Sequence, residues 1–216
     1  MEVDEPGGLR ERKRRRTRAA ISAAAIELFL ARGYDSVSTV EIAAAAEVSK
    51  RTLFKYFPTK EDLVFHRIAD HENENAEVVR ARPDGCSPLE ALRRHFIAGL
   101  DRHDPITGLT DDAQVLGLAR MIQATPGLAH ALGRWLARGE DALAAALLET
   151  TEVGDELSAR LIAAQITATQ RCLATHITRL LLDGRPLERT HRDARTAAEL
   201  AFRRLGTGLD AQFARG

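Results

Sequence analysis

The sequence predicts an all-α protein, and two observations support this prediction. Ala and Leu, two of the strongest helix formers, recur throughout the 216 residues, whereas aromatic residues make up only 5% of them. Apolar residues recur at helical spacing in one segment after another, and the alternating runs of Val, Ile and Thr that are typical of strands are absent. The length is sufficient for one or two domains with a substantial hydrophobic core.

The first sixteen residues differ from the rest in composition. Residues 1–9 are polar, and residues 10–18 (RERKRRRTR) carry seven cations against one carboxylate. Termini of this composition are often poorly ordered, so we expect residues 1–16 to form a disordered basic arm. Such an arm can lie along a phosphate backbone or enter the minor groove of DNA, although a merely solvated tail would have the same composition.

Residues 17–62 are expected to form a domain of three short helices. The first helix is expected to end at Gly33, because Gly is common just after the last helical turn. The second helix begins with the capping-box pattern of Ser38 and Glu41. The apolar face of the first helix consists of Ile21, Ala24, Ala25, Leu28 and Phe29. The apolar face of the second is expected to consist of Val40, Ala43, Ala44 and Val48.

The third helix has an apolar back and a polar front. Ser49 is a favourable N-cap, Leu53 and Phe57 form the back, and Pro58 prevents the helix from continuing. The front consists of Lys50, Arg51, Thr52, Lys55 and Tyr56. Cations and hydroxyls of this kind contact phosphates, and side chains near a helix N-terminus reach base edges, so this front is suited to DNA.

The stretch VSKRTLFKYFPTKEDLV, preceded by TVEIAAAAE and a helix ending in ARGY, resembles the DNA-binding head of the tetracycline-repressor (TetR) family. The resemblance covers residues 17–64, with a helix-turn-helix inside them. One position departs from the family pattern, because the turn residue that is commonly Gly is Glu47 here. If Glu47 has a positive φ, it costs about 1 kcal/mol relative to Gly.

The resemblance implies that residues 49–56 enter the major groove and that several matching positions contact DNA. These positions are Thr39, Ser49, Lys50, Arg51, Thr52, Lys55, Tyr56 and Lys60. We expect Arg51 or Lys50 to contact a base, since cations are the usual partners of guanine. Thr39, Tyr56 and Lys60 are better placed for phosphate. A two-fold symmetric dimer would require a palindromic operator.

The net charge of zero conceals an uneven distribution. Residues 10–60 hold 12 Lys and Arg against 5 Asp and Glu, whereas residues 61–216 hold 19 against 23. A basic head on a mildly acidic body is typical of a DNA-binding protein that has a second function. An unevenly charged solvated surface would give the same counts.

Residues 63–216 are expected to form a ligand-binding and dimerisation domain. A first helix from Lys60 to about Arg82 would join it to the head. Five more helices follow, at about residues 88–103, 111–123, 126–149, 155–182 and 190–209.

The helix at residues 155–182 has two apolar stripes. One consists of Leu157, Leu161, Ala164, Ala168 and Cys172, and the other of Ile162, Ile166, Leu173, Ile177, Leu180 and Leu181. A helix this apolar is either buried within one chain or shared with a partner. The family resemblance implies sharing, in a homodimer built from the last two helices of each subunit, while the hydrophobic pattern alone leaves both possibilities open.

A ligand pocket between helices of this domain is expected to include His71, Phe96, Met121 and Trp135, although plain core packing is the commoner role for any single one of them. Residues 100–136 also resemble the corresponding domain of actinobacterial TetR-type regulators thought to bind acyl-CoA-like ligands. The resemblance implies a small apolar or amphipathic effector of unknown identity.

No catalytic or cofactor motif occurs in the sequence. The seven histidines include no pair at three or four residues, and P-loop, GxGxxG, GxSxG and HExxH elements are absent. We therefore expect no enzyme activity, no cofactor and no metal site. Two cysteines and the absence of a long apolar run predict a soluble cytoplasmic protein that does not interact with membranes.

The predicted function is that of a ligand-responsive, sequence-specific transcriptional regulator, acting as a repressor released from its operator by the effector. The alternatives are a sequence-tolerant architectural DNA-binding dimer without a ligand and a helical enzyme with an accessory basic segment. Enrichment of one DNA sequence would exclude the first alternative, and turnover without DNA would favour the second.

Overall fold

The computed structural model describes residues 6–69 and 71–208, which form ten α-helices and contain no strand. The all-α prediction is therefore confirmed. The helices are α1 Pro6–Arg32, α2 Thr39–Ala45, α3 Lys50–Tyr56, α4 Lys60–Ala69, α5 Glu74–Arg80, α6 Pro88–Asp101, α7 Ala113–Ala124, α8 Pro126–Thr150, α9 Glu156–Leu182 and α10 Leu187–Thr207. A short 3-10 helix, Pro105–Thr107, lies between α6 and α7.

The chain divides into two compact units. The first comprises Met1–Ala69 and Arg120–Ala131, and the second comprises Asp70–Ala119 and Leu132–Gly216. The first unit contains the three predicted head helices together with all of α4. The boundary expected between residues 62 and 63 therefore falls inside a continuous helix.

Helix α1 begins earlier than the sequence predicted. It is continuous from Pro6 to Arg32, so residues 6–16 are helical rather than disordered, and residues 1–5 lie outside the described part of the chain. The physical reason is that Arg and Lys are good helix formers, so a basic composition does not by itself prevent a helix. Arg12, Lys13, Arg14, Arg15 and Arg16, expected in an arm, therefore project from a helix instead.

The core of the first unit is built from α1, α2, α3 and α4. Ile21, Phe29, Leu53 and Phe57 are almost fully buried, as their helical spacing predicted. The buried Ser22 hydroxyl donates a 2.9 Å hydrogen bond to the Leu63 carbonyl and so joins α1 to α4. This core holds α3 with its polar front directed away from the interior.

The buried face of α2 differs from the prediction. Val40 is 57% exposed and Ala44 is also exposed, whereas Ile42 and Ala43 are buried. A helix of seven residues makes only about two turns, so its apolar residues fit more than one choice of face.

The helix expected from Lys60 to about Arg82 is interrupted. Helix α4 ends at Ala69 and α5 begins at Glu74, with Asn73 at its N-cap position. Asn73 makes no side-chain capping hydrogen bond, and the Asn75 side chain donates a 2.8 Å hydrogen bond to Gln170 of α9, so packing within the second unit fixes where α5 begins. In the second unit, Arg138 of α8 forms a 2.7 Å ion pair with Glu72 and so stabilises the turn that precedes α5.

Glu74, the first residue of α5, binds two histidines, one in the turn before α5 and one on α6. Its carboxylate oxygens lie 2.7 Å from His71 Nδ1 and 3.0 Å from His95 Nε2. The hydrogen bonds to His71 and then to His95 lower the pKa of Glu74 to about 2, from an ordinary 4.5, although partial burial opposes the shift.

This shift predicts a pH-dependent contribution to stability. Glu74→Gln should reduce the free energy of unfolding by roughly 1.5–3 kcal/mol near pH 5, as expected for hydrogen bonds to a charged group. Because the folded pKa is depressed, the wild-type advantage should be fully present above pH 4.5 and decline as the pH falls towards about 2. Urea denaturation between pH 3 and 6 measures it. Glu77→Gln, at an exposed position on α5, is the control and should give no such trend.

The second unit has a continuous core centred on α6, α9 and α10. Phe96 of α6 packs against Phe202 of α10, with ring centroids 5.9 Å apart. The loop after the 3-10 helix is also buried, because Gly108 and Leu109 pack against α9. This unit provides the helices on which the predicted effector and dimerisation sites would lie.

Candidate nucleic-acid interface

The start of α2 is fixed by a complete capping box. The Ser38 hydroxyl accepts a 3.2 Å hydrogen bond from the Glu41 amide, and the Glu41 carboxylate accepts a 2.8 Å bond from the Ser38 amide. These bonds, strengthened by Arg32 2.8 Å away, lower the pKa of Glu41 to about 2. The predicted capping box is therefore confirmed, and it places the half-buried Thr39 in the first turn of α2.

The start of α3 is fixed by Ser49 and Thr52. The Ser49 hydroxyl accepts a 3.0 Å hydrogen bond from the Thr52 amide and lies 2.8 Å from the Thr52 hydroxyl. Both hydroxyls were predicted to contact DNA, and both take part in the cap of the recognition helix. A phosphate contact by either one would have to coexist with this cap.

The turn between α2 and α3 passes through a strained residue. Glu47 has a φ of +53°, in the left-handed region that favours glycine. The condition stated for Glu47 in the sequence therefore holds, and its cost of about 1 kcal/mol relative to Gly applies.

Replacing Glu47 by glycine should stabilise the head. Glu47→Gly removes the cost of a left-handed non-glycine residue, so the free energy of unfolding should rise by about 1 kcal/mol. Thermal or urea denaturation measures the change. Glu27→Gly, in the middle of α1, is the control and should be destabilising by about 1 kcal/mol, because Gly is unfavourable inside a helix. A destabilising Glu47→Gly would show that the Glu47 side chain contributes more than its backbone costs.

The front of α3 is a surface of exposed cations. Lys50, Arg51 and Lys55 are all exposed, and none of them forms an ion pair within the described part of the chain. Thr52 and Tyr56 are half-buried beside them. Cations left without carboxylate partners are available for phosphates and guanine edges.

Lys60 has an internal role that the sequence did not predict. Its ammonium group donates a hydrogen bond to the Tyr34 carbonyl and lies 4.2 Å from the centre of the Tyr34 ring. Tyr34 in turn packs on Phe29 at 5.0 Å, so Lys60 ties the end of α1 to the start of α4. Lys60 can contact a phosphate only through the ammonium hydrogens that are not donated to the Tyr34 carbonyl.

Phe54 belongs to the same surface and was missed in the sequence analysis. Its side chain is 38% exposed, unlike the buried Leu53 and Phe57 on either side of it along the helix. The available signal was its spacing, because Phe54 follows Arg51 by three residues and Lys50 by four, and such residues share a helix face.

The four residues predicted for a ligand pocket lie in different environments. Met121 belongs to the first unit, whereas His71, Phe96 and Trp135 belong to the second. His71 is hydrogen-bonded to Glu74, and Phe96 packs in the core. Trp135 is only 7% exposed, and its indole N–H has no hydrogen-bond partner in the described structure.

An apolar groove of about 400 Å³ lies elsewhere in the second unit. It is lined mainly by apolar side chains from α6, α8, α9 and α10, with four polar side chains between them. The lining residues are Ser87, Pro88, Leu89, Leu147, Thr151, Glu152, Val153, Ile162, Gln165, Ile166 and Leu205. None of the four predicted pocket residues lines this groove.

Two further properties of the described residues bear on the predicted sites. No helix among them is both long enough and apolar enough to span a bilayer. Within residues 6–69 and 71–208, no group of three or more His, Cys, Asp and Glu side chains could hold a metal ion.

Comparison with known proteins identifies a family to which the chain is similar. Residues 21–66 match the model of bacterial regulatory proteins of the tetR family. The chain is 34% identical to the HTH-type transcriptional regulator TcmR of Streptomyces glaucescens over 174 residues, which cover 77% of this chain and 75% of TcmR. Residues 21–66, which match the family model, include α2, α3 and most of α4.

Solved structures share the fold. NalD of Pseudomonas aeruginosa, described as the secondary repressor of the MexAB-OprM multidrug efflux pump, is 22% identical, with a TM-score of 0.58 over 88% of this chain and 96% of that chain. A TetR-family regulator from Streptomyces coelicolor is 23% identical, with a TM-score of 0.57 over 95% and 99% of the two chains. The matching head and the similarity to TcmR across most of both chains show that this chain belongs to the TetR family of DNA-binding transcriptional regulators.

Proposed function

We propose that the chain is a homodimeric, ligand-responsive repressor that binds a palindromic operator and is released from it by a small apolar or amphipathic molecule. The observation that carries the DNA-binding part is the front of α3. It combines three exposed cations with a capped N-terminus, on a helix held by the buried Leu53 and Phe57.

Base and phosphate contacts are divided along α3. Arg51 and Lys50 occupy the first turn, the part of a recognition helix that reaches base edges. Lys55 and Tyr56 lie in the last turn, and Thr39 lies at the start of α2, where contacts with the phosphate backbone fit better.

The basic start of α1 adds a second contact with DNA. The side chains of Arg12, Lys13, Arg14, Arg15 and Arg16 are exposed. A helix carrying so many cations directly before the head favours electrostatic contact with the phosphate backbone.

Dimerisation is assigned to α9 and α10. Leu157 is 67% exposed and Leu161 is 54% exposed, and Cys172 further along the same stripe is also exposed. The other stripe is buried within the chain at Ile166, Leu173 and Ile177, although Ile162 is 37% exposed. An apolar stripe left on the surface of a single subunit supports a symmetric partner, as is usual in this family.

An effector would act by preferring one arrangement of the dimer. A ligand that binds both arrangements equally changes nothing, so release requires tighter binding to the arrangement whose heads do not fit the operator. The buried Trp135 N–H supports an effector that carries a hydrogen-bond acceptor, because an unpaired buried donor costs about 1–3 kcal/mol. His71 and Phe96, which lie in the second unit with Trp135, stay candidate pocket residues, and acyl-CoA-like molecules are the class to test first.

The division between base and phosphate contacts can be tested with two variants. Arg51→Ala should weaken operator binding by roughly 1–3 kcal/mol and relax the preference at one base pair, while non-specific binding changes little. Lys55→Ala should weaken binding to all duplexes by a similar factor. Fluorescence anisotropy with operator and scrambled duplexes at one salt concentration measures both. An equal loss on both duplexes for Arg51→Ala would make Arg51 a phosphate contact.

A further inference from the structure

The phenyl ring of Phe54 is less buried than the other apolar side chains of α3. Leu53 and Phe57 are fully buried and anchor α3 to the head, whereas Phe54 is 38% exposed. One exposed apolar residue is ordinary on a protein surface, so its exposure alone indicates nothing. Its position on the helix is the informative feature.

Phe54 stands on the same face of α3 as the two cations proposed to contact bases. Residues three and four positions apart are neighbours on a helix, so Phe54 adjoins Arg51 and Lys50. The Lys50 ammonium group lies 5.9 Å from the centre of the Phe54 ring, at the outer limit of a cation–π contact. An apolar ring is thus placed among the groups that would face the floor of the major groove.

We propose that Phe54 reads a thymine by packing against its C5-methyl group. This inference rests on the proposed function, namely that the front of α3 enters the major groove. A phenyl ring has no hydrogen-bonding group, so it contributes little to a phosphate contact or to reading donors and acceptors. The C5-methyl of thymine is the apolar group that the major groove presents, and phenylalanine is one of the side chains that contact it.

The size of the effect follows from one methyl group. Burying a methyl-sized group is worth about 0.8 kcal/mol, which corresponds to roughly fourfold in affinity. A symmetric operator contains the thymine in both half-sites, so removing both methyl groups should weaken binding by about 15-fold.

Deoxyuridine substitution tests this directly, because deoxyuridine differs from thymidine only by that methyl group. The operator is first selected from a random duplex pool, and each thymine position is then replaced by deoxyuridine in both half-sites together. For wild-type protein, one position should show the loss of about 15-fold. For Phe54→Ala, the same substitution should change affinity by less than about twofold, because the ring that contacts the methyl is gone. Phe54→Tyr keeps the ring and should keep the dependence on the methyl group.

A second measurement does not depend on any variant. Wild-type protein is irradiated on operators carrying 5-iododeoxyuridine at the sensitive position, and the cross-linked peptide is identified by mass spectrometry. A cross-link to Phe54 supports the proposal. A cross-link to another residue, or a methyl dependence that is unchanged in Phe54→Ala, overturns it. If the wild type selects no sequence, the proposed function fails and this inference fails with it. A selected operator without a Phe54-dependent thymine overturns this inference alone.

Discussion

Gly108→Ala is expected to reduce the free energy of unfolding by about 3–4 kcal/mol, a large share of the 5–15 kcal/mol typical of a whole protein. Gly108 follows the 3-10 helix Pro105–Thr107 and has a φ of +83°. A Cβ atom added there would lie 2.2 Å from the carbonyl oxygen of Ala174 on α9. The added Cβ would meet backbone atoms of Ala174, so no flexible side chain could move aside to relieve the contact.

The matched control separates the two causes of this cost. Gly184 has nearly the same backbone conformation, with a φ of +82°, but a Cβ atom there would meet nothing within 4 Å. Gly184→Ala should therefore cost only about 1 kcal/mol, from the left-handed backbone alone. Urea denaturation of both variants measures the difference. Equal losses would show that the loop moves away from α9 without cost and that its close packing contributes little.

Leu161→Lys is expected to separate the subunits and to weaken operator binding by roughly 10²–10⁴-fold, because two linked heads bind far more tightly than one. Leu161 is 54% exposed in the single chain, so a lysine fits there without disturbing the fold. In a symmetric interface the substitution would bury two ammonium groups without partners, which is costly.

Ala145→Lys is the control for this substitution, since Ala145 is exposed and belongs to α8 rather than to α9 or α10, the helices to which dimerisation is assigned. Sedimentation analysis and operator titration of both variants give the subunit mass and the affinity together. We expect a monomer for Leu161→Lys and a dimer for Ala145→Lys. A Leu161→Lys protein that stays dimeric with unchanged affinity would place the interface elsewhere.

Local signals in the sequence predicted the head most accurately. The caps at Ser38 and Ser49 were both predicted, because a capping hydrogen bond joins residues only three positions apart and depends little on the rest of the fold. The family pattern, with Gly common where Glu47 stands, drew attention to the one turn residue that has a positive φ between α2 and α3. These features position α3, so the placement of the candidate DNA-binding face could be predicted from the sequence.

The predictions that were wrong concern features that depend on the rest of the fold. Val40 was expected inside, but in a helix as short as α2 the packing of neighbouring helices decides which face is buried. The break after Ala69 was missed because its polar residues are compatible with both a helix and a turn. The turn is stabilised by a hydrogen bond from Arg138 to Glu72, two residues that are 66 positions apart in sequence.

The helix at residues 155–182 was predicted well, but its pattern could not show which stripe faces outward. Burial of Ile166 and Ile177 leaves Leu157 and Leu161 exposed, and only tertiary packing provides that information. For the same reason, the lining of the groove in the second unit could not be predicted, since it combines residues from four helices.

Selection of bound duplexes from a random DNA pool, at near-physiological salt, tests the central claim most directly. The account predicts enrichment of one palindrome, with half-sites about one helical turn or a multiple of it apart, as two symmetric recognition helices require. Binding without enrichment of any sequence would contradict it, and would instead favour an architectural protein whose Lys50 and Arg51 contact only phosphates.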